Sequence, residues 1–90
     1  MITRTSFNNR ALAGVYVAMR EAALNSRLWS ASARANCKGT AYVRNARRNP
    51  WLRVDHNRGE PQAFQFYDRK QRNVTALVLR CLRESQGLPS

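Results

Sequence analysis

Residues 41–44 (AYVR), 51–55 (WLRVD) and 63–67 (AFQFY) are the three stretches of the chain that decide its fold. Apolar and polar side chains alternate in each of them, and all three are rich in the aromatic and β-branched residues that favour a pleated strand. The intervening residues 45–50 and 57–61 carry the Asn, Gly and Pro typical of turns. Because these connections are short, we predict an antiparallel meander of three strands.

A helix is predicted on each side of the strands. Residues 10–35 contain no Pro and one Gly, Gly14, and Asn8 or Asn9 can cap the N-terminal end. Towards the C-terminus, residues 74–82 are apolar at positions i, i+3, i+4, i+7 and i+8, which is the spacing of one helix face. The sequence therefore predicts an α+β fold with the order α-β-β-β-α.

The boundaries of the second helix have several candidate signals. Asp68 followed by Gln71 resembles a capping box, and Asn73 is a competing start. Gly87 can take the left-handed conformation that ends a helix. With 90 residues, the chain is expected to form a single domain, 1–90, made of an N-terminal helical segment, 1–36, and a βββα unit, 39–88.

The first helix shows two candidate faces. Its core-facing stripe is predicted to be broad, which suggests burial on more than one side. The stripe consists of Leu12, Val15, Tyr16, Met19 and Ala23, widened by Val17, Leu24 and Leu28. Arg20, Arg27 and Arg34 recur every seven residues, which places them along one side of the helix about 10.5 Å apart. This row is either a ladder for phosphates or an ordinary solvated face.

The balance of charge is strongly positive. Sixteen Lys and Arg residues stand against five Asp and Glu residues, which gives a net charge of +11. Solubility alone needs a net charge of only about 2 to 8. All the cations except Lys38 and Lys70 are Arg, whose planar fork pairs with phosphates and with guanine. A GC-rich genome would also raise the ratio of Arg to Lys, but it would not explain the shortage of acids, so we expect a negatively charged partner.

Alternation along the strands separates two unlike faces of the sheet. The apolar face is predicted to pack against the last helix, and it consists of Val43, Leu52, Val54, Phe64 and Phe66. The other face mixes arginines with aromatic rings, as expected of a nucleic-acid surface, and it consists of Tyr42, Arg44, Trp51, Arg53, Asp55, Gln65 and Tyr67. Arg47, Arg48 and Arg58 would border it from the turns.

An alternative keeps this second face covered. Tyr42, Trp51 and Tyr67 would then form a small second core under the N-terminal helix, and binding would move to the turn arginines and the helical row. The full set of candidate binding residues under the two interpretations is Tyr42, Arg44, Arg47, Arg48, Trp51, Arg53, Arg58, Arg20, Arg27 and Arg34.

Residues 39–84 resemble a known family of domains. The run 39–44 (GTAYVR), then 51–54 (WLRV), then 66–68 (FYD) followed by an amphipathic helix, is similar to AP2-type and integrase arm-binding-type DNA-binding domains. The resemblance implies a three-stranded sheet that faces the DNA major groove and is backed by one helix. It also implies that Arg44, Trp51 and Arg53 touch DNA.

Catalysis has little support in the sequence. His56 is the single histidine, and its neighbour Asp55 would point to the opposite face of the strand, so we expect a solvated histidine at a strand end. Cys37 and Cys81 with His56 give at most three zinc ligands, without a recognised spacing. The glycines stand alone, so no phosphate loop is present. We expect a protein that is not an enzyme and that has neither a cofactor nor a metal.

Three features of the sequence bear on the cellular location. Two cysteines are too few for a disulfide framework, and the first ten residues lack the apolar run of a secretory signal. The longest apolar stretch, 11–19, is shorter than the roughly 20 residues that span a bilayer. We expect a cytoplasmic protein with no membrane partner.

Two functions fit these features. The first is a small protein that binds nucleic acid, with DNA favoured over RNA. The second is an accessory or inhibitor protein, of the sort that phages and mobile elements encode, that binds an acidic surface of a host nucleic-acid enzyme. Excess charge and small size suit both.

Overall fold

The computed structural model describes residues 2–30, 38–57 and 63–87. A short 3-10 helix, Arg4–Ser6, precedes the long helix α1, Asn9–Ser30. Three strands follow, β1 (Lys38–Arg44), β2 (Pro50–Asn57) and β3 (Phe64–Tyr67), and helix α2 (Thr75–Ser85) comes last. The sheet is antiparallel with the order β1-β2-β3. The predicted α+β fold with the order α-β-β-β-α is therefore confirmed.

Both helices pack on the same face of the sheet. Helix α1 lies over β1 and β2, and α2 lies over β3. The buried side chains of both helices and all three strands form one cluster, with Val54, Phe66 and Val78 fully buried in it. The prediction that the last helix covers the apolar face was incomplete: α2 packs on it over β3, but α1 covers most of it, over β1 and β2. In the described part of the chain, no helix or strand lies on the opposite face, which we call the open face.

Helix α1 approaches the sheet very closely at one glycine. A Cβ atom added to Gly39 would lie 1.9 Å from the carbonyl oxygen of Ala22 and 2.4 Å from the amide nitrogen of Ser26. These are backbone atoms that cannot move without moving the helix. Gly39 is therefore required by the contact between α1 and β1.

This close approach explains why the predicted stripe of α1 was partly wrong. The side that faces the sheet carries small residues along with Leu12 and Val15, namely Ala18, Ala22 and Ser26. Tyr16, Val17 and Leu24, which the pattern assigned to the core, are 38%, 50% and 51% exposed. Close helix–sheet packing selects small side chains, whereas a pattern based on hydrophobicity selects large ones. The side chain of Leu28 lies outside the described residues.

The helix ends follow the capping signals in part. Asn8 accepts a hydrogen bond from the Ala11 amide at 2.8 Å, which confirms it as the cap of α1. The N-cap of α2 is Val74, whose side chain makes no capping bond, and Asn73 just before it accepts from the Thr75 amide at 3.0 Å. The helix therefore starts next to Asn73 and not at Asp68. Gly87 has φ +73 just beyond α2, as predicted. Whether α1 extends to residue 35 lies outside the described residues.

Candidate nucleic-acid interface

The turn between β1 and β2 is built around the side chain of Asn45. Its Oδ1 accepts hydrogen bonds from the amides of Arg47 at 3.0 Å and Asn49 at 2.9 Å. Arg48 has φ 65, and its carbonyl oxygen accepts a hydrogen bond from Nη1 of Arg44 at 3.1 Å. With the backbone fixed in this way, the side chains of Arg47 and Arg48 project into solvent at the tip.

The turn after β3 is organised by a buried carboxylate. Oδ1 of Asp68 accepts hydrogen bonds from the amides of Lys70 and Arg72, both at 2.9 Å, and its Oδ2 accepts one from Nε of Arg72 at 2.8 Å. These bonds, the one from the Arg72 amide above all, lower the pKa of Asp68 below its usual value, against an opposing effect of burial. The side chains of Arg69, Lys70 and Arg72 are exposed around it.

The two turns lie at the same end of the sheet. Because β1 and β3 both run antiparallel to β2, the end of β1, the start of β2 and the end of β3 coincide. Arg69 and Gln71 line a shallow cavity together with Tyr42 and Arg53. Arg10, near the start of α1, lines another with Arg44. We call this cluster of eight cationic side chains the basic end, and it consists of Arg10, Arg44, Arg47, Arg48, Arg53, Arg69, Lys70 and Arg72.

The open face carries a row of side chains that reaches the basic end. Tyr42, Arg53 and Tyr67 are directly opposite one another on the three strands. The guanidinium of Arg53 lies 4.4 Å from the centre of the Tyr67 ring, and its Nη1 donates to Oε1 of Gln71 at 2.6 Å. Tyr42 is 47% exposed. An arginine held on an aromatic ring loses less freedom when it binds a ligand.

A second buried carboxylate supports this row from the neighbouring position on β2. Asp55 is 1% exposed and accepts a hydrogen bond from the hydroxyl of Thr40 at 2.9 Å. Nζ of Lys38 lies 3.2 Å from its Oδ2, and Nε of Arg53 lies 3.5 Å from its Oδ1. These two are ion-pair contacts without hydrogen-bond geometry. Asp55 thus contacts the Nε side of the Arg53 guanidinium, and the Arg53 side chain as a whole is 28% exposed.

The structure brings most of the predicted sheet and turn residues together. Tyr42, Arg44, Arg47, Arg48 and Arg53 all lie at or next to the basic end. Their binding of a partner stays a prediction.

Trp51 occupies a different place from the one predicted. It is the extra residue of a bulge, and its ring packs against Phe7 with the ring centres 5.7 Å apart. The alternative of a second core under α1 does not match this geometry, because α1 packs on the other face and Tyr42 is exposed.

The helical row is not part of this cluster. Arg20 is exposed on α1, in the helical layer. Arg34, Arg58 and the side chain of Arg27 lie outside the described residues. The predicted ladder of three arginines is therefore represented by one member in the described part of the chain.

Sequence reasoning missed four members of the basic end: Arg10, Arg69, Lys70 and Arg72. Residues 69–72 (RKQR) are a visible cationic run. The signal that could have placed them is the meander itself, because three antiparallel strands put the first turn and the end of the third strand together.

His56 and Cys81, two of the residues weighed for chemistry in the sequence, both pack against the core of the protein. His56 is half-buried on the core side, where its Nδ1 lies 2.8 Å from Oγ of Ser26 and its ring lies 4.8 Å from that of Phe64. The Ser26 hydroxyl also lies 2.8 Å from the carbonyl oxygen of Ala23, to which it donates. The prediction of a solvated histidine was therefore wrong.

Cys81 lies in the core on α2. Burial raises the pKa of the Cys81 thiol.

The described residues form neither a metal site nor a helix that could span a membrane. Among residues 2–30, 38–57 and 63–87, no three or more His, Cys, Asp or Glu side chains group as metal ligands would. Within the same residues, neither helix combines the length and apolar character needed to cross a bilayer.

Comparison of the chain with protein-family models, with curated proteins and with solved structures gave no match. The resemblance to AP2-type and integrase arm-binding-type domains therefore stays a prediction.

Proposed function

We propose that this protein binds nucleic acid, with duplex DNA as the favoured ligand, and acts by binding and not by catalysis. The observation that carries the proposal is the clustering of eight cations at one end of an open sheet face. The carboxylates that border this cluster, Asp55 and Asp68, already contact cations of the protein itself. Two of those cations, Arg53 and Arg72, belong to the basic end. The other six cations of the basic end contact no carboxylate in the described part of the chain, so their charge is left for an external anion.

The geometry of the open face suits a duplex. Three strands about 4.8 Å apart span about 10 Å, which is within the roughly 12 Å width of the major groove. Arg53, at the centre of the row, is in a position to reach base edges. Arg47 and Arg48 at the tip of one turn, and Arg69 and Lys70 on the other, would contact phosphates on either side.

A second candidate is an acidic surface on a nucleic-acid enzyme. Tyr16, Val17 and Leu24 are large, exposed apolar residues on one side of α1, with Arg20 between them. Apolar side chains around an arginine are typical of a protein interface. We propose a cytoplasmic location for the protein, where it could bind either nucleic acid or a nucleic-acid enzyme.

The test is a titration of fluorescently labelled duplex DNA, single-stranded DNA and RNA of equal length at 50 and 200 mM salt. We expect binding to duplex DNA that weakens steeply with salt, since counterions are released from the phosphates. A flat salt dependence, or no binding to any of the three at 50 mM, would refute the proposal.

A pull-down from extract with and without nuclease separates the two candidates. If nucleic acid is the ligand, digestion removes the captured proteins, since nucleic acid bridges them. One stoichiometric protein that survives digestion would favour the second candidate.

A further inference from the structure

Trp51 has an unusual position in the sheet. Val43 pairs with Leu52 and Arg44 pairs with Pro50, so Trp51 has no residue opposite it on β1. A bulge of this kind bends the strand and turns a side chain away from its regular direction, and such bulges are common beside functional sites. The indole is consequently placed at the end of the sheet instead of in the row on the open face.

One side of the indole is held by the core. Its ring is tilted by 49° against that of Phe7, which is itself buried, and the side chain of Trp51 is half-buried. An aromatic ring fixed on one side and open on the other can stack with a second ring without losing much freedom.

Three shallow cavities share Trp51 as a wall, with volumes of about 260, 240 and 180 Å³. Each is smaller than the roughly 300 to 1,000 Å³ of a site for a drug-sized ligand. Each is lined by members of the basic end. The first contains Arg10 and Arg44, the second contains Arg69, Lys70 and Arg72, and the third contains Arg53 and Arg69.

We propose that Trp51 stacks on an unpaired base while the surrounding cations hold the phosphates on either side of that nucleotide. The inference rests on the proposed function and specifies its ligand as DNA that carries an unpaired nucleotide. In an intact duplex both faces of each base are covered by neighbouring bases, whereas an unpaired base can offer a face to an aromatic side chain. An aromatic ring next to a cationic groove is the combination that binds unpaired nucleotides.

The first experiment compares three DNAs of the same length: a fully paired duplex, the same duplex with one unpaired adenine, and that duplex with an abasic site in place of the adenine. We expect the wild-type protein to bind the DNA with the unpaired adenine at least about fivefold more tightly than the other two. In Trp51→Leu, which keeps an apolar contact with Phe7, this ratio should fall to about one.

Two outcomes would overturn the inference. They are equal binding of all three DNAs by the wild type, and a preference that persists in Trp51→Leu. Either one leaves the proposed function intact, because binding to the paired duplex is measured in the same titration. Absence of binding to all three DNAs would refute the proposed function as well.

The second experiment uses fluorescence and does not depend on how well Trp51→Leu folds. Trp29→Phe leaves Trp51 as the one tryptophan. Its emission should be quenched by DNA with the unpaired adenine and much less by DNA with the abasic site at the same fraction bound. Equal quenching by the two DNAs, or none, would overturn the inference.

Discussion

The location of the interface can be tested by removing the same charge from two places. In the double variant Arg69→Gln/Lys70→Gln, two cations are lost from the turn after β3. Neither side chain makes a described hydrogen bond, and the Lys70 amide that donates to Asp68 is unchanged. A substitution at such exposed positions costs at most about 0.5 kcal/mol of stability. The variant therefore changes the electrostatics of the basic end and leaves its backbone in place.

The expected size of the effect comes from the number of cations that are free to contact phosphates. Two of the eight members of the basic end, Arg53 and Arg72, contact carboxylates of the protein. The remaining six predict a slope of log affinity against log salt of about −5 on duplex DNA. Affinity should then fall about a thousandfold between 50 and 200 mM salt. With four free cations, the slope should lie between about −3 and −4, and the loss should be about a hundredfold.

The matched control is Arg80→Gln/Arg83→Gln, which removes the same net charge from exposed positions of α2. Anisotropy titrations of labelled duplex at four salt concentrations give the slopes of all three proteins. We expect the control to keep the wild-type slope. If both double variants shift the slope equally, the charge acts as a diffuse attraction and the assignment of the interface to the basic end is refuted.

Three further predictions concern the parts of the structure that hold the site. Gly39→Ala should lower the free energy of unfolding in urea by about 3 kcal/mol or more, at the upper end of overpacking costs, because the obstacle is the backbone of α1. Gly87→Ala, with φ +73 and open space around it, should cost only about 1 to 2 kcal/mol, and an equal or larger cost at Gly87 would contradict the close approach of α1. The lowered pKa of Asp68 stabilises the fold above the usual value of 3.8, and this contribution is lost as the pH falls through the folded pKa. The thermal midpoint of the wild type should thus fall more steeply from pH 5 to pH 2 than that of Asp68→Asn, and parallel curves would contradict this. In a Cys37→Ser background, Cys81 should be alkylated far more slowly in the folded protein than in urea, and equal rates would show that the thiol is accessible.

The order of helices and strands was predictable because each segment has a clear local period. The strands alternate, and residues 74–82 repeat with the period of a helix, so the pattern alone separates them. The orientation of α1 was not predictable in this way. Ala18 and Ala22 are weak signals in a hydrophobic pattern, yet they face the sheet because Gly39 lets the helix come close. Which side of α1 is buried depends on its partner, and the partner is distant in the sequence.

The site residues that lie on regular strands could be placed from the sequence, whereas those at the bulge and in the turn after β3 could not. Alternation put Tyr42 and Arg53 on one face, and the structure has them directly opposite each other. Trp51 does not lie on the predicted face because the bulge adds one residue to β2. The alternating pattern of the sequence gives no sign of this bulge. Residues 69–72 were missed because their position depends on the pairing of β2 with β3, which brings the end of β3 next to the start of β2.

The positions of the carboxylates leave the free positive charge concentrated at the basic end. Asp55 and Asp68 are buried and bind cations and amides of the protein itself, and Glu84 pairs with Arg4. These acids shape the strand and the turn. In the basic end they contact Arg53 and Arg72, so six of its eight cations keep no carboxylate contact among the described residues. A net charge of +11 spread evenly would attract any polyanion weakly from all sides. Cations grouped at one end of an open sheet face instead orient the ligand, and this grouping is the physical reason to expect a defined binding geometry.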